Sequence, residues 1–210
     1  EERVLYRDEH LLVADKPHFL PVIPAGRFLH ETLLVRLKNK GAPEELVPLH
    51  RIDRETAGVV LFSVNPKTRG LYGSLFHERE VGKVYEALAP APPASLDFPL
   101  TRRSRIVPGE PFFRMREEEG EPNSETHVEV IETRGDVARY RLRPVTGRKH
   151  QLRLHLSALG IPILNDRLYP RRTPVMEDDF DAPLKLLARS VAFLDPVTGR
   201  ERYFESGREL

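Results

Sequence analysis

The residues His50-Arg51-Ile52-Asp53-Arg54-Glu55-Thr56-Ala57-Gly58 set an aspartate among two arginines and a histidine, directly before the apolar run Val59-Val60-Leu61-Phe62. An arginine within about 4–6 Å of a carboxylate favours its ionised form. The spacing therefore predicts Asp53 as a lasting anion near neutral pH. Such a group suits nucleophilic or electrostatic work more than proton donation. A charged turn with Asp53 in a structural ion pair has the same composition, since ion pairs also perturb carboxylates at structural sites.

Two further segments carry residue types that do chemistry. One is Lys83-Val84-Tyr85-Glu86-Ala87, which reads as a strand with a tyrosine in it. The other is Thr146-Gly147-Arg148-Lys149-His150-Gln151-Leu152-Arg153-Leu154-His155. A helix from about Lys149 to Leu159 would put Leu152, Leu156 and Leu159 on one stripe, with Gly160 as its stop. Lys149 and Arg153 then share a face at i and i+4, so Arg153 can reach inward while Lys149 meets phosphate. A solvated helix face is the alternative. His150 and His155 have no metal-ligand partner in the sequence, and read as structural or RNA-facing. His50 either contacts phosphate or caps the Asp53 loop.

Taken in order, these segments resemble the catalytic motifs of the RluA-type pseudouridine synthases. Those motifs are His-Arg-Leu-Asp-x-x-Thr-Ser-Gly, Lys-x-Tyr-x-Ala and Thr-Gly-Arg-x-His-Gln-[Ile/Leu]-Arg-x-His. Here Ile52 and Ala57 replace leucine and serine. The flanking Asp15-Lys16-Pro17 and Gly160-Ile161-Pro162-Ile163 extend the likeness over nearly the whole chain. The resemblance implies isomerisation of uridine to pseudouridine in ribosomal or transfer RNA, without cofactor or metal. It implies Asp53 as nucleophile or base at the sugar, Tyr85 against the uracil, and Arg153 paired with the aspartate. Arg51 would fill the gap left by an everted nucleotide, which offsets part of the cost of base eversion. His50, Arg54, Lys83, Arg148, Lys149 and His150 join it as RNA-binding candidates, with Arg102, Arg103 and Arg171 as further basic positions. Two positions depart from the family: Asn165 where glycine usually precedes the aspartate Asp166, and Leu187 where a histidine is common.

Composition agrees with this reading. At 210 residues the chain fits one large domain or two small ones. It has no cysteine, which excludes disulfides and thiolate chemistry. No apolar run approaches the roughly 18 residues that span a bilayer, and Glu1-Glu2-Arg3 is not a signal-peptide start. The expectation is a cytoplasmic monomer that binds RNA and no membrane. Net charge is only +1, so the distribution carries the information. Basic residues gather at Arg102, Arg103 and Arg105, from Arg139 to Arg153, and at Arg167, Arg171 and Arg172. Acidic ones gather at Glu117 to Glu121 and at Glu177 to Asp181. Glycosidases normally use two carboxylates. The site that the resemblance implies has no evident second one, which disfavours a glycoside or nucleoside hydrolase. A non-catalytic RNA-binding module of the same fold would need no Asp53.

The elements that must position these residues follow from pattern. Val4 to Tyr6 and Leu11 to Ala14 read as short strands, and Glu31 to Lys40 as a helix with Leu33, Leu34 and Leu37 on one face. Gly58 to Val64 is a buried strand. Asn65-Pro66 reads as a helix start, the helix running to about Arg79 and burying Leu71, Leu75 and Phe76. Thr101 to Met115 reads as a flexible hairpin, and Glu117 to Asn123 as an acidic loop. Ala138, Tyr140 and Leu142 alternate with Arg139, Arg141 and Arg143, a half-buried strand with one basic face. Ser190 to Leu194 and Glu201 to Phe204 form a last hairpin. The order predicts an α+β fold with a mixed, largely antiparallel central sheet flanked by helices. Residues 1–210 are expected to be a single catalytic domain without an S4-like domain.

Overall fold

The computed structural model describes residues 1–26, 28–172 and 178–210. They fall into two units, one of residues 1–83 with 187–209 and one of residues 84–186 with 210.

The first unit is built on strands β1 (Arg3–Arg7), β2 (Leu11–Lys16), β3 (Val47–Pro48), β4 (Ala57–Ser63), β10 (Leu186–Leu194) and β11 (Glu201–Glu205). Strand β2 pairs antiparallel with β1 and β4, and β11 pairs antiparallel with β10. Strand β4 runs parallel to β10. The pairing is thus mixed, as expected. Every residue of β2 and β4 is buried, so neither strand alternates: apolar runs end in the buried polar residues Asp15 and Lys16 of β2 and Ser63 of β4. Helix α1 (Leu33–Asn39) starts at Thr32, whose hydroxyl accepts from Val35 N at 3.3 Å. It buries Leu33 and Leu37 with Leu12, Val60 and Phe62. Helix α2 (Arg69–His77) packs Tyr72 and Leu75 with Val59, Leu61 and Val191. It begins later than Asn65-Pro66 suggests: Asn65 Oδ1 accepts from Lys67 N at 3.0 Å in a turn, and Thr68 is the helix-capping position. The face that packs carries Tyr72, and Leu71 is half exposed instead of buried.

Gly58 shows why β4 and β10 lie so close. Its φ is +117°, and a Cβ there would sit 2.2 Å from the Ala188 carbonyl oxygen. Only glycine combines that conformation with that approach.

The second unit orders its strands β5–β9–β8–β6–β7, all antiparallel. They span Gly82–Pro90 (β5, in this unit from Val84), Leu100–Pro108 (β6), Met115–Glu118 (β7), Ser124–Arg134 (β8) and Val137–Pro144 (β9). The expected hairpin is β6–β7. The expected acidic loop is in part strand: Glu117 and Glu118 belong to β7 and pair with Arg102 and Arg105 across it. On β9, Ala138, Tyr140 and Leu142 are buried as the alternation requires. The opposite face carries its own counter-charges, with Arg139 on Glu86 and both Arg141 and Arg143 on Glu129. Helix α3 (Gln151–Ala158) lays Leu152 and Leu156 on Val128, Tyr140 and Leu142. Among the described residues, no helix is long and apolar enough to cross a membrane.

Candidate active site

Asp53 occupies the loop immediately before β4, half-buried, and its carbonyl oxygen accepts from Thr56 N at 3.1 Å. The loop is held from several sides. His50 Nε2 accepts from Leu61 N at 3.1 Å, and its ring stacks on Phe76 with centroids 4.8 Å apart. Burial first, and the nearby Lys83 cation second, push the His50 pKa down to about 3. The ring is therefore neutral and its Nε2 lone pair is used. His18 Nδ1 donates to the Glu55 carbonyl at 2.6 Å. The Arg54 guanidinium lies over the rings of Phe28 and Phe19, at 4.7 and 5.7 Å, and meets Glu55 at 3.3 Å.

Beneath the loop lies a buried lysine that pattern reading passed over. Lys16 ends β2, and its Nζ donates to the carbonyls of Pro17 at 2.9 Å and Arg54 at 3.1 Å. It is fully buried. Burial lowers its pKa to about 7, opposed by the carboxylates of Glu55 and then Asp53. The sequence signals are a charged residue closing an apolar run and its place in the family-like segment Asp15-Lys16-Pro17. The effect on stability follows from linkage. Between about pH 7 and the ordinary lysine value of 10.5, the unfolded chain holds a proton at Lys16 that the folded chain has released. Stability attributable to Lys16 therefore rises with pH across that window, by at most about 1.4 kcal/mol per unit, and is flat below it. Lys16→Met is expected to abolish the rise, as read by urea unfolding at pH 7 and pH 9. Equal increments in both proteins would remove Lys16 from this role.

In the second unit, Tyr85 lies half-buried on β5 opposite Leu142 of β9 and packs against the Ala87–Tyr140–Leu142 core. Arg153 is among the largest fully buried side chains of the protein. Its Nε and Nη2 donate to Asp166 Oδ2 and Oδ1, both at 2.8 Å, a two-pronged ion pair. Asp166 Oδ1 also accepts from Leu168 N at 2.8 Å and Tyr169 N at 3.1 Å. Helix α3 starts at Gln151, so Lys149 lies in the preceding turn and not one helical turn below Arg153. The shared helix face expected for those two residues does not form. His150, with φ of +56°, breaks the helix off at that point.

Comparisons with known proteins bear on the family and the fold. Residues 10–158 match the family described as RNA pseudouridylate synthase. The chain belongs to that family. It is 37% identical over 172 residues to the dual-specificity RNA pseudouridine synthase RluA of Escherichia coli K12, covering 79% of this chain and 76% of that one. It is 34% identical over 171 residues to the human pseudouridylate synthase RPUSD2, covering 80% of this chain and only 30% of the relative. Two solved human structures share the fold at 25% identity. RNA pseudouridylate synthase domain containing 1 superposes with a TM-score of 0.79 over 99% of this chain and 84% of that chain. Domain containing 4 gives 0.74 over 96% and 87%.

The two departures from the family pattern now have physical accounts. Asn165 adopts φ of +63° and donates from Nδ2 to the Pro183 carbonyl at 2.9 Å. Asparagine tolerates this left-handed conformation better than most residues, so it can stand in for glycine. Leu187 is fully buried on β10, where a leucine packs without needing a polar partner.

The basic candidates divide into two sets. Arg51, Arg148, Lys149 and Arg171 are exposed. Arg148 Nε donates to the Asn123 carbonyl at 3.2 Å. Arg102 is bound to Glu117, and Arg103 to Glu125 at 2.9 Å. Lys83 is half-buried, and desolvation lowers its pKa, with Arg79 adding to the effect. His150 Nδ1 lies 3.0 Å from the Tyr169 hydroxyl. His50 and Arg54, grouped from the sequence with the RNA contacts, hold the Asp53 loop through the bonds and stacking above. His155 is structural: buried, hydrogen-bonded at Nδ1 to Thr126 and at Nε2 to Ser104 and Ser124, its pKa pushed down to about 4 by burial. Glu177, in the second acidic cluster, lies outside the described residues.

Proposed function

We propose that this chain isomerises uridine to pseudouridine in ribosomal or transfer RNA, with Asp53 as the reacting carboxylate. The observation that carries the reading is family membership, with 37% identity to an enzyme named for dual RNA specificity, combined with the expected residue type at the matched catalytic positions Asp53, Tyr85 and Arg153. The glycosidic C–N bond breaks, the uracil turns while held, C5 bonds to the sugar, and the C5 proton leaves for the N1 position. Atoms balance within the uridine, so the reaction needs no co-reactant. Asp53 acts at the sugar. Tyr85 packs against the uracil and can take the C5 proton. Arg153 is the cationic partner of the aspartate. All of residues 1–210 serve as the catalytic domain, working as a monomer in the cytoplasm.

The test is incubation of the purified chain with transcripts of ribosomal and transfer RNA, followed by detection of pseudouridine through its carbodiimide adduct, since the isomerisation itself changes no mass. Pseudouridine at discrete positions supports the reading. Release of free uracil would make the chain a hydrolase instead. RNA binding without either product would leave an RNA-binding module.

Binding itself is expected to weaken steeply with salt, by a log–log slope of about −0.7 per phosphate contact on single strands. Removing the exposed charges Lys149 and Arg171 together should flatten that slope by about 1.4, at two contacts. Removing Arg102 should change it less, because its glutamate partner already neutralises it. A filter-binding series from low to high salt reads all three. A slope unmoved by the Lys149 and Arg171 changes would take the RNA away from that surface.

A further inference from the structure

We propose that Asp166 is a positioning residue for Arg153, setting the aim of the guanidinium on which the reaction depends. This rests on the role given to Arg153 above.

The pair is shielded from water, with side chains 2% and 1% exposed for Arg153 and Asp166. An arginine buried this way gains orientation only if its partner is itself held, because the benefit of a two-pronged pair lies in its geometry. Asp166 is held in three ways. Its own N–H donates to the Ile163 carbonyl at 3.2 Å. Its Oδ1 takes the backbone N–H groups of Leu168 and Tyr169, closing a tight turn around the carboxylate. The left-handed Asn165 just before it reverses the chain and is tied to Pro183.

The turn is anchored in its turn by Tyr169. The Tyr169 hydroxyl accepts from Met115 N at 2.8 Å, and Arg114 lies over the ring at 5.0 Å and donates to the Pro170 carbonyl at 3.0 Å. Arg153 itself passes 5.8 Å from the same ring. The carboxylate thus belongs to a rigid turn tied to the β6–β7 hairpin, and not to a side chain that adapts to its arginine. Both Oδ atoms of Asp166 face the Nε–Nη2 edge, so the fork has one orientation available.

Asp166→Asn replaces one accepting oxygen by an NH2 group that confronts the guanidinium donor to donor. The expected result is a single-turnover rate at saturating RNA about 10²-fold below wild type, the usual cost of a misplaced group, with RNA affinity unchanged. The same substitution in an Arg153→Met background is expected to cost nothing further. A purely structural carboxylate would cost the same factor in both backgrounds and would overturn the inference, as would a wild-type rate for Asp166→Asn. If Asp166→Asn does not fold, by its thermal melt, Asp166→Glu carries the test. That variant keeps the charge but lengthens the arm, so a folded protein slower than wild type supports positioning, and a wild-type rate overturns it. A normal rate for Arg153→Met alone would instead remove Arg153 from the proposed reaction. An inactive wild type would remove the reaction itself.

Discussion

Asp53→Asn is expected to fold and bind RNA as the wild type does, and to form no pseudouridine. The amide has the size of the carboxylate, and several of the bonds that shape the loop come from other groups. Thr56 N finds the Asp53 carbonyl, Leu61 N finds His50, and Lys16 finds the carbonyls of Pro17 and Arg54. What the substitution removes is the negative charge and the nucleophilic oxygen. Loss of a nucleophile that no neighbour can replace lowers the rate by about 10⁴ or more. Glu55 is the next carboxylate in the chain, but it meets Arg54, which is itself stacked on Phe28. Pseudouridine yield after long incubation with excess enzyme is the measurement, beside RNA affinity and the melting temperature. More than a few per cent of the wild-type rate would mean that another group performs the step.

How far the sequence alone reached depended on whether a residue's role is local. The buried runs Leu11 to Ala14 and Gly58 to Val64 are legible as strands because continuous apolar composition needs no partner to be recognised. The Leu33 and Leu37 face of α1 is legible from its spacing, but the Thr32 start is not: the pattern places the helix from Glu31 to Lys40. Helix α2 was mis-started because Asn65-Pro66 fits a turn as well as a helix end, and only packing of Tyr72 with Leu61 and Val191 selects the later start. Charge was the least legible property. The arginines of β6 and β9 look like a basic surface in sequence, yet most face a glutamate one strand away, a pairing set by register. His50 shows the same limit within the central motif: its type suits phosphate, but stacking on Phe76 and the bond from Leu61 N make it part of the loop's support. Lys16 and Asp166 both lie in segments that resemble the family, but their partners are not legible there, because each acts across distance in the chain, Lys16 on the Arg54 carbonyl and Asp166 on Arg153.

Arg153→Met is expected to cut turnover far more than RNA affinity, and to cost stability as well. The guanidinium is buried, so it cannot serve as a surface contact to phosphate without leaving Asp166. Its removal strands that carboxylate away from water, and breaking one side of a buried pair typically costs about 3–5 kcal/mol. Adding Asp166→Asn to Arg153→Met should therefore recover part of the lost melting temperature without recovering any activity. Losing an oriented charged donor from an active site lowers the rate by about 10²–10³-fold. Arg153→Lys should be nearly as poor, since an ammonium cannot reproduce the planar fork that now spans both oxygens of Asp166. An arginine whose task was to bind RNA would behave in the opposite way: affinity would fall, turnover at saturating RNA would survive, and lysine would substitute well. Single-turnover rates at saturating RNA for the wild type and the three variants separate the two behaviours. A near-normal maximal rate for Arg153→Lys would show that only the positive charge matters and that the fork does not.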